Sequence, residues 1–411
     1  MKNYLLAGLN MTIMWSCCNN DMGTHVFPKV SEPVQITNND QEHFFAGYYG
    51  TDSWSRNQKY VTVLETDIKY QLPDENNPAT LGVVDIKTKE FIPLTQTRTW
   101  SFQEGCMTHW LGTSPDSLII FNDLREGIFV SVIMNVYTKK ELKTIPFPIS
   151  AVSPTGKEAV SINFSRMRIT RPVTGYGGNG QDAKEEIPFP SDDGLSLIDL
   201  ETGQSKLLVS MSQVQQLVPE LKEGGIEYFC HTRFSREGSK IFWLARAIPE
   251  RNTVAFTVNR DGSNLQQCFP VMWGGSHFDW LSDEELMVTA EVEGKQYGHV
   301  LFTVGKQNYK RLGKGLLDFD GHGTFSPNGK WLVTDTYPSP GMREQKIYLM
   351  DMKSEAVLSL GRFIAPDEFN GDWRCDIHPS WSPKGNMIGF NSAHSGSRQV
   401  FIINLDEIKG N

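Results

Sequence analysis

Apolar positions along the chain fall in short runs, and each run is followed by a polar turn rich in Ser, Pro, Asn or Gly. Clear examples are 331–336 and 347–352, with a second pair at 387–392 and 400–405. The runs are short, alternate with turns, and contain many β-branched and aromatic residues. This pattern predicts β-strands joined by tight turns throughout the chain.

One unit of this pattern recurs along the sequence. It consists of an aromatic or apolar residue, a Ser, often Pro-x-Gly, an apolar strand, a loop and a second apolar strand ending near Asp. Seven copies begin at Trp54, Thr113, Val152, Phe234, Leu281, Phe325 and Trp381. Each copy supplies a four-stranded sheet, so the repeats predict an all-β fold, a seven-bladed β-propeller.

The two ends of the chain complete one blade between them. The last copy ends at Leu405-Asp406 without a fourth strand, whereas segment 33–37 has the pattern of a strand. We therefore expect an N-terminal strand to close the ring, and the propeller to occupy 31–411 as one domain. The long segment 165–193 in the third copy is predicted to be a functional loop or lid, or an ordinary surface loop.

The N-terminus has the order of an export signal. Lys2 precedes a mostly apolar run over 4–15, and Ser16 and Cys17 follow it. This order resembles a bacterial lipoprotein signal, with a plain signal peptide as the alternative. We expect a signal peptide at 1–16, lipidation of Cys17, an anchor linker at 17–30, and a location in the bacterial cell envelope, in the periplasm or at the outer membrane.

Composition and charge limit the kinds of molecule that the protein is expected to bind. The formal net charge is -9, and the basic residues are scattered. This excludes a nucleic-acid footprint and leaves the lipid anchor as the membrane contact. We expect a monomer. The dispersed Cys106, Cys230 and Cys268 form no disulfide framework and are interpreted as buried apolar residues.

Histidines recur at one position of the repeat. His231, His277, His322 and His378 each stand three residues before the aromatic residue that opens a copy, and His109 has a similar position in the second copy. In a propeller these positions surround one mouth of the central channel. A single histidine there would be a channel-lining residue, but four in adjacent blades favour metal binding or acid–base chemistry.

A cysteine accompanies the last histidine. Cys375 stands three residues before His378. One thiolate and three imidazoles suit zinc, so we predict a divalent metal held by His277, His322, Cys375 and His378. The alternative is a buried, inert Cys375. Arginines on the strand connections of the same face predict an anionic substrate, or else ordinary surface charge, and Tyr176 and Tyr337 are expected on the same rim.

Several segments resemble a known class of enzymes. GGSHFDWLSD at 274–283, DGHGTFSPNGKWLVTDTYP at 320–338, and CDIHPSWSP at 375–383 with NSAHSGSRQVF at 391–401 resemble the propeller-type polysaccharide lyases, namely the oligogalacturonate lyases and the ulvan-lyase-like families. In the oligogalacturonate lyases, histidines and a Gln near Q-x-x-H-P-H hold manganese. Here Cys375 takes the Gln position, which favours zinc over manganese.

The resemblance implies a lyase that cleaves an acidic, uronate-containing oligosaccharide by β-elimination. The roles it implies are His231 or His109 as base, Tyr176 as acid, and Arg168 or Arg233 as the carboxylate clamp. The remaining substrate-binding candidates are Asn122, Arg343, Arg398 and His394. Asn122 stands where the ulvan-type relatives have a catalytic His.

Two other classes compete with this interpretation. A non-catalytic binding protein, similar to the TolB-type periplasmic propellers, explains the repeats equally well but gives no reason for the histidines. A propeller attached to a serine peptidase is excluded, because the sequence contains no G-x-S-x-G nucleophile elbow.

Overall fold

A computed structural model of the chain describes residues 13–14, 27–48, 51–219, 226–248, 252–270, 273–294, 296–306, 308–313 and 315–406. These residues form seven antiparallel sheets, the blades of a seven-bladed β-propeller, which confirms the predicted fold class. The lipidation candidate Cys17 and all of segment 1–16 except two residues lie outside the described part. No helix in the described part is long and apolar enough to cross a membrane.

Each blade is a meander whose strands follow the chain from the channel outward. Blade 1 contains the strands Glu42–Phe45, Tyr60–Thr66, Ala79–Asp85 and Phe91–Thr97. Blade 2 contains His109–Trp110, Leu118–Arg125, Ile128–Asn135 and Lys140–Ile145. Blade 3 contains Ala151–Val152, Glu158–Ser161, Gly194–Asp199 and Ser205–Ser210. Blades 4 and 5 contain Ile226–Phe234, Lys240–Ile248, Asn252–Asn259 and Gln266–Gln267; and Phe278–Trp280, Glu285–Ala290, Gly298–Thr303 and Tyr309–Arg311. Blades 6 and 7 contain Thr324–Phe325, Trp331–Asp335, Glu344–Asp351 and Val357–Ile364; and Ser380–Trp381, Met387–Ser392 and Gln399–Asp406.

The N-terminal segment completes blade 7, as predicted. Val34–Gln35 pairs antiparallel with Gln399–Asp406, with Val34 opposite Ile402, and Lys29–Val30 extends the pairing on the same strand. The seventh blade is thus built from both ends of the chain, and its outer strand is covered instead of left as a free edge. A short strand, Ile13–Met14, pairs with the outer strand of blade 6.

The recurring Ser and Gly close the turn between the first two strands of a blade. Ser326 Oγ accepts a hydrogen bond from the Trp331 amide at 3.0 Å, and the Gly329 amide donates to the Ser326 carbonyl at 2.9 Å. Gly329 has φ +68, which glycine adopts without steric cost. The same Ser-to-amide bond recurs at Ser55, Ser153, Ser235 and Ser382.

The long segment of the third blade contains a helix that the sequence pattern did not predict. Helix α1, Phe164–Thr170, begins after Asn163, whose side chain accepts from the Arg166 amide, and ends at Arg171. A second helix, α2, Met211–Leu217, follows the outer strand of blade 3 and starts with a capping box at Ser210. Short 3-10 turns span Val292–Gly294 and Gly371–Trp373.

Apolar side chains fill the space between neighbouring blades. Phe242 of blade 4 packs on Phe278 of blade 5 at 4.3 Å between ring centroids, and Phe363 of blade 6 packs on Phe390 of blade 7 at 5.0 Å. These contacts fix the angle between adjacent blades. The innermost strands are therefore held rigidly around the channel, and the residues at their ends are well positioned for a binding site.

Candidate functional site

Three imidazoles from consecutive blades meet at one mouth of the channel. His277, His322 and His378 each lie just before the innermost strand of blades 5, 6 and 7. Ring centroids of His277 and His322 are 4.0 Å apart, and those of His322 and His378 are 4.1 Å apart. All three side chains are buried. The convergence expected from the repeat positions is therefore present, and we call these residues the histidine cluster.

Carboxylates hold two rings of the histidine cluster from behind. Asp335 accepts from His322 Nδ1, with both oxygens at 2.9 Å, and Asp320 accepts from His277 Nδ1 at 3.0 Å. A proton on Nδ1 leaves Nε2 of each ring unprotonated, the form in which histidine binds a metal ion. Asp335 also accepts a hydrogen bond from the His378 amide at 3.0 Å, so the same carboxylate holds residues at the start of blades 6 and 7.

Potential metal ligands come together at the centre of this arrangement. Single ligand atoms of His322, Asp376 and His378 all lie within 4.8 Å of one another, and all three residues are buried. Nε2 of His322 and Nε2 of His378 are 3.1 Å apart. Two ligands about 2.0–2.1 Å from one ion are roughly 3 Å apart, so these residues fit a divalent cation.

Cys375 does not join these ligand atoms, contrary to the prediction. It packs in a small apolar group with Phe369 and Ala393. Burial raises the pKa of its thiol to about 12. The carboxylate of the next residue, Asp376, takes the position expected for the sulfur. The potential metal ligands are therefore nitrogen and oxygen atoms. Without the Cys375 sulfur among them, the preference for zinc over manganese has no basis.

Burial sets the charge of the site. It lowers the pKa of His322 and His378 well below the ordinary value, and each is lowered further by a neighbouring imidazole. It raises the pKa of Asp335 and Asp376. The imidazoles are thus neutral at physiological pH, as ligands must be.

Tyr337 and Arg374 border the histidine cluster. The Tyr337 hydroxyl is 3.2 Å from His277 Nε2, and its ring lies 5.4 Å below the Arg374 guanidinium. Arg374 donates through Nε to both oxygens of Asp376, at 3.0 and 2.8 Å. Tyr337 therefore lies on the rim as predicted, and a cation that was not predicted accompanies it.

His231 lies on the blade-4 side of the same mouth. It occupies a bulge in the innermost strand and has φ +56, a strained conformation for a residue other than glycine. Its ring stacks on Tyr48 at 5.2 Å, and Tyr48 in turn lies 5.4 Å from His378. Burial lowers the pKa of His231 well below the ordinary value. Glu104 Oε1 is 3.7 Å from His231 Nδ1.

The other candidate base, His109, lines a cavity of about 360 Å³ that His231 also borders. Both of its ring nitrogens are buried without a hydrogen-bond partner. Burial, and then Arg233, lower the pKa of His109 to about 3. Arg233 is paired with Asp279 at 3.2 Å. Arg233 also lines this cavity, and its Nη1 is buried without a partner among the described residues, so its role as the carboxylate clamp stays a prediction.

Tyr176 and Asn122 are structural residues, which corrects two predictions. Tyr176 is fully buried, stacked on Phe164 at 4.4 Å, instead of lying on the rim. Asn122 donates to the Tyr176 hydroxyl at 2.9 Å and exchanges two hydrogen bonds with the backbone of Ile149, both at 2.8 Å. Both side chains are fully buried, Tyr176 against Phe164 and Asn122 against the backbone of Ile149.

Arg168 is also committed to the fold. Its guanidinium donates to the carbonyls of Pro172 at 2.8 Å and Pro73 at 3.3 Å, which ties helix α1 to blade 1. The predicted role as carboxylate clamp therefore does not fit Arg168. His394 is exposed on the blade-7 connection and bonds Ser392 Oγ at 2.7 Å. Its role in substrate binding remains a prediction.

Arg398 and Arg343 likewise stabilise loops. Arg398 is buried, pairs with Glu42 at 3.2 Å, and covers the ring of Phe102 at 3.7 Å. Arg343 donates to the carbonyl of Ala365 at 3.2 Å. Several donors of the two arginines thus already have acceptors within the protein, although Arg398 Nε has none among the described residues, and contact with substrate stays a prediction for both.

The residues that sequence reasoning missed are mainly carboxylates. Asp320, Asp335 and Asp376 contact the histidine cluster, yet each looks like a common turn or strand-end residue in the sequence. One signal was available for Asp376, since it stands two residues before His378 and a carboxylate is an ordinary metal ligand. Asp335 gave none, because its role depends on contacts between two blades.

Solved structures of two lyases are similar to this chain. An oligogalacturonate lyase from Vibrio parahaemolyticus has a TM-score of 0.64 and 11% sequence identity, covering 93% of this chain and 99% of that one. An oligogalacturonate lyase in complex with manganese has a TM-score of 0.66 and 14% identity, with the same coverage of 93% and 99%. At such identities the similarity shows the fold.

More distant similarity extends to TolB from Acinetobacter baumannii, with 15% identity over 86% of this chain and 81% of that one. Its TM-score is 0.42, which carries no argument about function. No protein-family model matches the sequence, and no curated protein matches it.

Proposed function

We propose that this protein is a polysaccharide lyase that cleaves a uronate-containing oligosaccharide or polysaccharide by metal-assisted β-elimination. The observation that carries the proposal is the histidine cluster, with Asp376 beside it and two rings oriented by buried carboxylates. A propeller that only binds ligands has no need of such an arrangement. The shared fold with two oligogalacturonate lyases supports the proposal.

His322, His378 and Asp376 would hold the divalent ion, with His277 next to them. Imidazole and carboxylate ligands suit manganese as well as zinc, and one of the similar lyases contains manganese. A bound divalent ion supplies positive charge that stabilises the anion formed when a proton leaves the carbon next to a carboxylate. Asp335 and Asp320 keep the ligand rings in position.

The elimination needs a base and an acid from the protein. A base removes the C5 proton, the electron pair forms the C4–C5 double bond, and the C4–O bond breaks as an acid protonates the departing oxygen. His231 is our candidate base, because it is neutral and next to the histidine cluster through Tyr48. Tyr337 takes the role of acid that was first given to Tyr176, because its hydroxyl lies at the cluster.

The proposal is tested by adding oligosaccharides of pectate, ulvan, heparan type and alginate to the metal-loaded protein. Ultraviolet absorbance of an unsaturated uronate should appear with at least one of them. His322→Ala should abolish the signal. His299→Gln is the matched control, since His299 is buried nearby but bonds Thr334 and the Leu317 carbonyl.

Absence of product from the whole panel, with the protein folded and metal bound, would contradict the proposal. If acidic oligosaccharides nevertheless bound, the non-catalytic binding propeller would be the better description.

A further inference from the structure

Most buried or half-buried arginines near the channel mouth already have acceptors. Arg166 is fully buried, and its guanidinium donates to five backbone carbonyls, four of them in 183–188. Arg398 and Arg374 are bonded to carboxylates. Such arginines hold the fold together and cannot also bind a ligand without losing these bonds.

Two arginines differ from this rule. The guanidinium of Arg171 makes no hydrogen bond or ion pair with any described residue, and its Nε is buried without a partner. Arg246 is only 8% exposed and its Nε is also unpartnered, while the rest of its guanidinium makes a long contact of 3.4 Å from Nη2 to the Gly275 carbonyl and a side-chain hydrogen bond to Tyr228. Within the described part of the chain, neither guanidinium has a carboxylate oxygen within 4.0 Å.

The two guanidinium groups face the same place. Both act electrostatically on Glu104 and on His231. Glu104 does not neutralise them, because burial raises its pKa to about 8 and the carboxyl keeps its proton at pH 7. Among the described residues, the half-buried Arg171 and the buried Arg246 therefore have no ionised carboxylate as a partner, whereas buried charges in proteins are normally paired. An anionic ligand would supply the negative charge that these two cations lack.

We infer that Arg171 and Arg246 form the subsite that binds the carboxylate of an acidic sugar beside the histidine cluster. This inference rests on the proposed function, and it gives to two arginines of the predicted basic rim the carboxylate-binding role first given to Arg168 or Arg233. Guanidinium groups bind carboxylates through paired N–H donors with matching geometry. The inserted segment of blade 3 supplies one of the two arginines, because helix α1 ends at Arg171.

The position also suits the chemistry. His231, the candidate base, is influenced by both arginines and stacks on Tyr48 next to His378. In a uronate, C5 carries both the carboxylate and the proton that is removed. A carboxylate bound by the two arginines therefore brings that proton close to His231, and the positive charge favours its removal.

The test measures binding to the full-length protein by calorimetry, with oligogalacturonate as the probe and its methyl ester as the uncharged counterpart. Arg171→Gln and Arg246→Gln should each weaken oligogalacturonate binding roughly 10- to 100-fold, the usual cost of a charged hydrogen bond. Arg171→Lys should restore part of the affinity. Arg125→Gln is the matched control, since Arg125 is already paired with Glu141, and it should bind like the wild type.

Unchanged affinity in both Gln variants, or equal affinity for the methyl ester, would overturn the inference. Competition by millimolar inorganic phosphate but not by galacturonate would also overturn it, because the subsite would then select phosphate. Binding that depends on both arginines without any unsaturated product would keep the subsite and refute the lyase. If unsaturated product formed and both Gln variants bound oligogalacturonate like the wild type, the lyase would be kept and the arginine subsite refuted.

Discussion

Replacing Asp335 by Asn tests whether the histidine cluster is a metal site whose geometry depends on the carboxylate behind it. Asp335 is 1% exposed, and its carboxylate accepts from the His322 amide at 2.7 Å, His322 Nδ1 at 2.9 Å and the His378 amide at 3.0 Å. Asparagine keeps one acceptor oxygen and turns the other position into an NH₂ donor. Whichever way the amide is oriented, a donor then faces a buried N–H.

Two effects follow from this change. Loss of a carboxylate partner to a ligand imidazole typically lowers metal affinity about 10- to 100-fold, or roughly 1.4–2.7 kcal/mol. One buried amide left without an acceptor costs a further ~1–3 kcal/mol of folding free energy. We therefore expect Asp335→Asn to bind metal weakly and to unfold more easily even when metal has been removed.

Titration calorimetry of Mn²⁺ and Zn²⁺ into chelator-stripped protein measures the first effect, and urea unfolding in the presence of chelator measures the second. Asp367→Asn is the control, because the side chain of Asp367 is 95% exposed on a loop of blade 6. If Asp335→Asn bound both ions within about twofold of the wild type while folded, the assignment of Asp335 as the residue that orients His322 would be wrong.

Three further predictions concern neighbouring residues. Asp376→Asn should lose metal affinity and Cys375→Ala should keep it, both measured by titration calorimetry. If Asp376→Asn kept its metal affinity and Cys375→Ala lost it, the Cys375 thiol would be the ligand after all. Tyr337→Phe should abolish product formation. Tyr176→Phe should retain activity but lose about 1 kcal/mol of unfolding free energy for one buried hydrogen bond, measured by urea unfolding. Activity in Tyr337→Phe and none in Tyr176→Phe would show that Tyr176 is the acid. The buried Glu104 carboxyl should contribute a negative slope to the unfolding free energy of the wild type between pH 5 and pH 8, because unfolded Glu104 loses its proton near its ordinary pKa of 4.5 and the folded carboxyl holds it to about 8. Glu104→Gln should reduce this slope, and an unchanged slope would show that the carboxyl is already ionised in the folded protein.

The sequence predicted most of the residues at the channel mouth, because the position of a residue within a repeat predicts its position in the folded blade. Once the seven copies were aligned, a histidine at a fixed offset before the first strand had to lie at the mouth. The same reasoning failed one residue away, at Cys375 and Asp376. Adjacent side chains in an extended segment point in opposite directions, and this segment lies before the strand, where the repeat fixes no register.

The arginines and tyrosines of the loops illustrate the second limit. Arg168 and Arg171 are three residues apart, yet the Arg168 guanidinium is bonded to carbonyls and Arg171 Nε has no partner in the described part of the chain. Tyr176 was expected on the rim and is buried instead. The path of an insertion is set by what it packs against, and the residues it contacts, such as Pro73, are distant in the chain.

The sequence by itself determined the strand pattern, the seven blades, the closure of the ring by the N-terminal segment and the positions of His277, His322 and His378. These features depend on local periodicity and on repetition, which are present in the order of the residues. The tertiary structure alone decided that Asp376 replaces Cys375, that Asp335 and Asp320 orient the rings, and that Arg171 and Arg246 have no carboxylate partner among the described residues. Such contacts join residues from different blades, and hydrogen-bond partners and burial exist only once the blades have packed around the channel.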